Sequence, residues 1–290
     1  MSLTIIDGFQ KLRENLQITN LQESVVSTRH QNVREAVKQD LVVVDDFLTG
    51  SYKRSTMIAP LSKADVDTFC VLDGKYFEDY RYGGQATLLD RVKRILQRAY
   101  PYTLDISRDG QAVTIAFSDF KVDVVPAFRL QTGGYYIPNS IIKQWIATDP
   151  KKHITIWSEA NKAHDGDLVP LIKMIKCWKR EANVEIGSFH LESLLLQILT
   201  NVTITNFSSG ARYVFDKARA AIKLPVPDPA GYNQNVGQYL SQSKLDDAAG
   251  KLETAYTRAM KAEQAAAKGN NQDAYYYWRL IFGDYFPAYG

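Results

Sequence analysis

Residues 65–72 read DVDTFCVL, and how that stretch is taken decides the fold of the chain. Side chains alternate across an extended backbone, so as a strand it places Asp65 and Asp67 on one face and Val66 on the other. Residues 121–128, KVDVVPAF, repeat the pattern with a lone Asp123 between Val122 and Val124, and Pro126 is expected to interrupt this strand. A carboxylate inside a strand is costly without a partner, and three that converge repel one another. A divalent cation removes the repulsion. Mg²⁺, with Mn²⁺ as an alternative, takes one or two protein carboxylates together with phosphate oxygens of a substrate, which suits Asp65, Asp67 and Asp123. Alone, a DxD pair is also common on a half-exposed strand, where both carboxylates simply face water.

Outward from that strand, residues 41–48, LVVVDDFL, are short and β-branched and end at a Thr-Gly-Ser turn, which reads as another strand. Gly50 and Ser51 follow it directly, then Lys53, Arg54, Ser55 and Thr56. Glycine lets the backbone come close to a ligand, successive N–H groups at such a turn cradle an anion, and the Ser51 hydroxyl can donate to a terminal phosphate oxygen. By itself this is a plain turn. The order carries the signal: strand, Gly-Ser loop, linker, DxD strand, lone-Asp strand describe a nucleotide-bound metal site.

Residues 3–41 read as helical, with Ile6, Phe9, Leu12 and Leu16 and later Val33, Val37 and Leu41 at helical spacing. Residues 86–100 form an amphipathic helix, and TLDIS and AVTIAF make a hairpin around Asp109-Gly110. One mixed α/β unit is expected over about residues 42–157. After His164 the strand pattern stops, and residues 168–181, 188–200, 211–222 and 245–267 read as four helices around a Pro/Gly-rich loop at 223–235. The expected division is a core at 1–160, with a long N-terminal helical segment, and a helical nucleotide-binding domain at 161–290.

The composition agrees with a globular protein. Of 290 residues, 45% are hydrophobic and 23% charged, which excludes disordered, collagen-like and rod-like chains. Lys+Arg 35 against Asp+Glu 32 leaves 35 − 32 = +3, too little for a protein that wraps duplex DNA but compatible with a small polyanion. The two cysteines, Cys70 and Cys177, form neither a disulfide framework nor a zinc motif and are expected to be small buried hydrophobes in a reducing compartment. No secretory signal and no apolar run of about 20 residues is present, so the expectation is a cytoplasmic protein without a membrane partner.

GSYKRST, DVD, KVDVVPAF, LIKMIKCWKR and SFHLE, together with YYIPN and TDPKKH within 135–153 and a C-terminal YWRLIFGDYF, resemble the bacterial cGAS/DncV-like nucleotidyltransferases. Those belong to the polymerase-β-type superfamily that also holds cyclic GMP-AMP synthase and oligoadenylate synthetase. The resemblance implies an α+β fold: a mixed sheet flanked by helices, plus a C-terminal α-helical domain. It implies synthesis of cyclic or linear oligonucleotide second messengers from nucleoside triphosphates, ATP among them, with pyrophosphate release. It further implies anti-phage signalling through a separate effector protein, with regulatory proteins as further partners.

It also assigns roles to residues. Asp65 and Asp67 hold two Mg²⁺ ions against the triphosphate, and Asp123 completes the acceptor-side metal and takes the proton of the attacking ribose hydroxyl. Gly50 and Ser51 cradle the β/γ-phosphates, Lys176 contacts the triphosphate, and Ser188 contacts nucleotide. The chain departs from the family at Ser55, where a Gly-Thr pair is usual and only Thr56 matches.

On the residues alone, blander readings stand beside these. Lys173, Lys176 and Arg180 make a solvated basic face, Ser188 and Asp167 cap helices, and His190 is packed. His164, Asp165 and Asp167 only look like a metal cluster; Tyr135 and Tyr136 either stack a base or line a sheet edge; Tyr275–Tyr277 are packing and rim residues. Two other functions stay open: nucleotidyl transfer to RNA or protein, and an inactive nucleotide-binding protein. With no zinc module, activity is expected not to require duplex DNA, and the terminal Gly290 is a candidate conjugation residue.

Overall fold

The computed structural model describes residues 3–290. They form two compact units, one of residues up to Gln17 with Ile156–Gly290, the other Ile18–Thr155. The elements begin with α1 (Ile5–Asn15), α2 (Asn20–Lys38), β1 (Val43–Leu48), α3 (Gly50–Lys53), β2 (Asp65–Leu72), α4 (Phe77–Tyr80) and α5 (Gln85–Ala99). β3 (Ile106–Asp109), β4 (Ala112–Ala116), β5 (Lys121–Arg129), β6 (Tyr135–Asn139) and β7 (Gln144–Thr148) follow. Then come α6 (Pro150–Ala163), α7 (Leu168–Glu181), α8 (Ser188–Leu199), α9 (Phe207–Ala221), α10 (Gln242–Ala267) and α11 (Asn271–Phe282).

In the unit Ile18–Thr155 the strands run in the order β1-β2-β5-β4-β3, with β6 on β5 and β7 on β6. The central pair β2–β5 is parallel, and β1–β2 and β4–β5 are antiparallel. Strand alternation divides the two faces. Val66, Cys70, Leu72, Val122 and Val124 join α2 and α5 in the main core, through Val33, Val37, Leu88, Leu89 and Val92. Each such fully buried aliphatic side chain contributes about 1.5–3 kcal/mol. The opposite face carries a smaller cluster of Phe69, Val71, Val125 and Ala127 with Tyr135 and Ile137. Asp65, Asp67 and Asp123 share that second face, ahead of the cluster.

Pro126 does not interrupt β5: it pairs in register with Cys70. On the other side of β5 the ladder changes partner there, from β4 at Val124↔Val113 to β6 at Phe128↔Tyr136, so the missing N–H costs least at this position. The helical stretch at 3–41 is made of two helices, α1 and α2. Thr4 and Thr19 each open a capping box, and the chain breaks after Leu16. α1 packs with the C-terminal helices, Phe9 lying edge-on to Trp278 at 4.8 Å and to Phe286 at 5.3 Å. The compact units therefore differ from the expected 1–160 and 161–290 division chiefly in the first 17 residues. Cys70 and Cys177 are free and buried, and burial pushes both thiols up to about 12. Among the described residues no helix is long and apolar enough to cross a membrane.

Candidate active site

The parallel register sets Asp67 of β2 directly beside Asp123 of β5, with Asp65 one step earlier on the same face beside Lys121. Asp65 is exposed, and Asp67 and Asp123 are half-buried. Burial raises the Asp123 carboxyl above its ordinary range and the negative Asp65 adds to this, while a hydrogen bond from Thr114 opposes it. The Thr114 hydroxyl, on β4, donates to Asp123 Oδ1 at 2.6 Å. Asp65 is also raised by desolvation, with Lys121 pulling the other way. The face thus carries negative charge that its surroundings do not favour.

Among the described residues no three His, Cys, Asp or Glu side chains close on a common point as a metal cage. The carboxylates instead offer an open set of hard oxygen donors. That chemistry fits Mg²⁺, which keeps waters and substrate phosphates in its shell and is seldom caged by protein alone.

The Gly-Ser segment is a single helical turn, α3, in place of the expected open loop. The Thr49 N–H donates to the Asp67 carbonyl at 2.9 Å and ties the turn to β2. Gly50 has φ +64°, and a Cβ there would lie 1.7 Å from Asp67 Oδ2. Only glycine lets backbone stand so close to the carboxylate. The Ser51 carbonyl accepts from the N–H groups of Thr56 (2.9 Å) and Met57 (3.0 Å), which folds the segment back on itself. Ser55, the position of departure from the family pattern, has φ +59°, a left-handed conformation that glycine would adopt freely. Gly50→Ala is expected to displace the Asp67 carboxylate and lower the turnover rate by about 10²-fold, the usual scale of an ångström misplacement, as an initial-rate assay would show.

Lys176 and Ser188 lie in the helical unit. The expected solvated face of α7 is corrected there: Lys173 and Lys176 are each only 7% exposed. Lys173 Nζ donates to Gln17 Oε1 at 2.9 Å and Lys176 Nζ to Glu192 Oε1 at 2.8 Å, Glu192 being wholly buried. Arg180 stacks over the Tyr285 ring at 4.7 Å. Ser188 is the first residue of α8, while Gly187 occupies the cap and its N–H donates to Tyr239 Oη at 2.6 Å. Asp167 stands at the cap of α7 without a side-chain capping bond; Asn161 Oδ1 accepts from the Val169 N–H instead.

His190 is buried against Gly237 and burial lowers its pKa, so it is packed. Both ring nitrogens of His164 face main-chain carbonyls, of Ala160 and Leu199. Tyr135 is buried with Phe47 and Phe69, and Tyr136 stacks on Phe77. Tyr275 is buried and Tyr276 exposed.

The sequence reading missed Thr114 and Glu192. Each had a faint signal: Thr114 interrupts the apolar AVTIAF on its polar alternation, and Glu192 is a lone charge inside SFHLESLLLQIL.

Comparison with known proteins follows the same lines. Residues 2–161 match the family model of the Second Messenger Oligonucleotide or Dinucleotide Synthetase domain. Over 98% of its length the chain is 26% identical to a cyclic AMP-AMP-AMP synthase of an Acinetobacter species, covering 86% of that protein. Among solved structures, Escherichia coli MS115-1 CdnC with ATP aligns with a TM-score of 0.78 and 18% identity, over 98% of this chain and 99% of that one. Vibrio cholerae DncV cyclic AMP-GMP synthase, in complex with the linear intermediate pppA(3′,5′)pG, aligns at 0.77 and 14% identity, over 99% and 97%. At such identities the structural likeness shows a common fold.

Proposed function

The chain belongs to the Second Messenger Oligonucleotide or Dinucleotide Synthetase family and is a nucleotidyltransferase that makes oligonucleotide second messengers from nucleoside triphosphates, and we propose that Asp65, Asp67 and Asp123 are its catalytic carboxylates. The observation that carries this assignment is the pairing of Asp67 with Asp123 on one sheet face, with the Gly50 backbone pressed against Asp67. Asp65 and Asp67 would hold Mg²⁺ on the triphosphate side and Asp123 would complete the acceptor side. Bound there, the cations supply charge neutralisation for attack and for the leaving pyrophosphate.

This chain's residues do the rest. A ribose hydroxyl oxygen forms the new bond to the α-phosphorus, the bond to pyrophosphate breaks, and the hydroxyl proton passes to Asp123. Burial raises the proton affinity of that carboxylate, which suits the work of a base. Gly50 and Ser51 approach the β/γ-phosphates. Lys176, aimed by its hydrogen bond to Glu192, serves the triphosphate, and Ser188 serves the nucleotide. The product is released to a separate effector protein in anti-phage signalling in the cytoplasm.

The test is mass spectrometry of products formed from ATP, GTP, CTP and UTP with Mg²⁺, followed by nuclease digestion to assign linkage. A phosphatase-resistant oligonucleotide that disappears with EDTA and is indifferent to added duplex DNA is expected. Label transferred to RNA or protein, or tight nucleotide binding with no turnover, would overturn this reading.

A further inference from the structure

The carboxylate pattern places Asp123 on its strand but does not say what aims it. β4 and β5 pair so that Thr114 stands directly opposite Asp123, and the Thr114 hydroxyl donates to Oδ1 at 2.6 Å. That is the length of a charge-assisted O–H···O⁻ bond, about twice as strong as a neutral one. The donor is well held. Val113 and Ile115 on either side are fully buried on the other face, and a β-branched residue on a strand has few rotamers to choose from. The hydroxyl is not needed to join the strands, since the β4–β5 ladder runs through four register pairs of main chain. What it does is occupy one of two equivalent carboxylate oxygens and stop the group from turning.

We propose that Thr114 is the positioning residue for Asp123, holding one carboxylate oxygen so that the other is presented to the divalent cation and the acceptor hydroxyl. The inference rests on the assignment of Asp123 above. Groups that orient a metal-binding carboxylate typically change metal affinity or activity by 10–100-fold when removed.

The experiment uses the full chain and two readouts: binding of Mn²⁺ alone, followed by loss of the free-ion paramagnetic resonance signal, and kcat and KM with ATP. Thr114→Val is expected to weaken Mn²⁺ binding and to lower kcat, each by about 10–100-fold, with KM changed by less than about threefold. Thr114→Ser, which keeps the hydroxyl, is expected to restore most of both losses. Should Thr114→Val fold poorly, Thr114→Ala and Thr114→Ser carry the same comparison, and equal Mn²⁺ affinity and kcat in the two would overturn the proposal. Asp123→Asn separates the two claims. If it is inactive while Thr114→Val matches the parent in both readouts, only the role of Thr114 falls; if Asp123→Asn turns over normally, the carboxylate assignment itself falls.

Discussion

Asp67→Asn and Asp123→Asn should each lower the rate of product formation by at least about 10³-fold, roughly 4 kcal/mol of barrier, without lowering the melting temperature. Asparagine keeps the shape of either side chain, and at position 123 it still accepts a hydrogen bond from Thr114, so the packing of this face is preserved. What is lost is the negative oxygen proposed to bind a dication and, at Asp123, the proposed base. Stability should hold or rise for a physical reason. Burial and the neighbouring Asp65 disfavour the charged form of Asp123, and the neutral amide removes that burden. Rates from quenched assays, set beside thermal melts in EDTA, test both halves. Variants that melt early and lose activity together would point to a structural role instead.

The second large effect lies in the helical unit. Glu192→Gln is expected to destabilise the protein by about 3–5 kcal/mol, because the buried Lys176 ammonium then lacks its carboxylate. Against a total stability of about 5–15 kcal/mol this is a large fraction, visible as an early urea transition. The double variant Lys176→Met, Glu192→Leu should recover most of the loss, since removing both charges also removes the cost of desolvating them. It also separates stability from function. If Lys176 serves the triphosphate, the refolded double variant will bind ATP poorly; if its KM for ATP equals that of the parent, the pair is structural only.

Much of the architecture was legible from residue order. β2 and the hairpin at Asp109-Gly110 fall where the alternation and the turn residues place them, and α5 follows its apolar stripe to within a residue at either end. β6 and β7 escaped because Pro138 breaks the pattern of the first and the connection at 140–143, SIIK, carries no Gly or Asn/Asp-Gly turn signal of the kind that marks β3–β4. The basic face of α7 was misjudged for a different reason: periodicity marks where apolar residues lie, but not that another helix brings Glu192 to a lysine.

By itself the sequence determined that three carboxylates ride on two strands, that a glycine turn precedes them, and that a helical half follows. Those properties are local, set by the two-residue period of a strand, the 3.6-residue period of a helix and the freedom of glycine. Only the tertiary structure decided that Asp67 lies beside Asp123, that Gly50 touches Asp67, that Thr114 holds Asp123, and that α1 packs beside α11. Each of these is a meeting of residues far apart in the chain, set by strand register and core packing, and no local pattern encodes which distant partner will arrive.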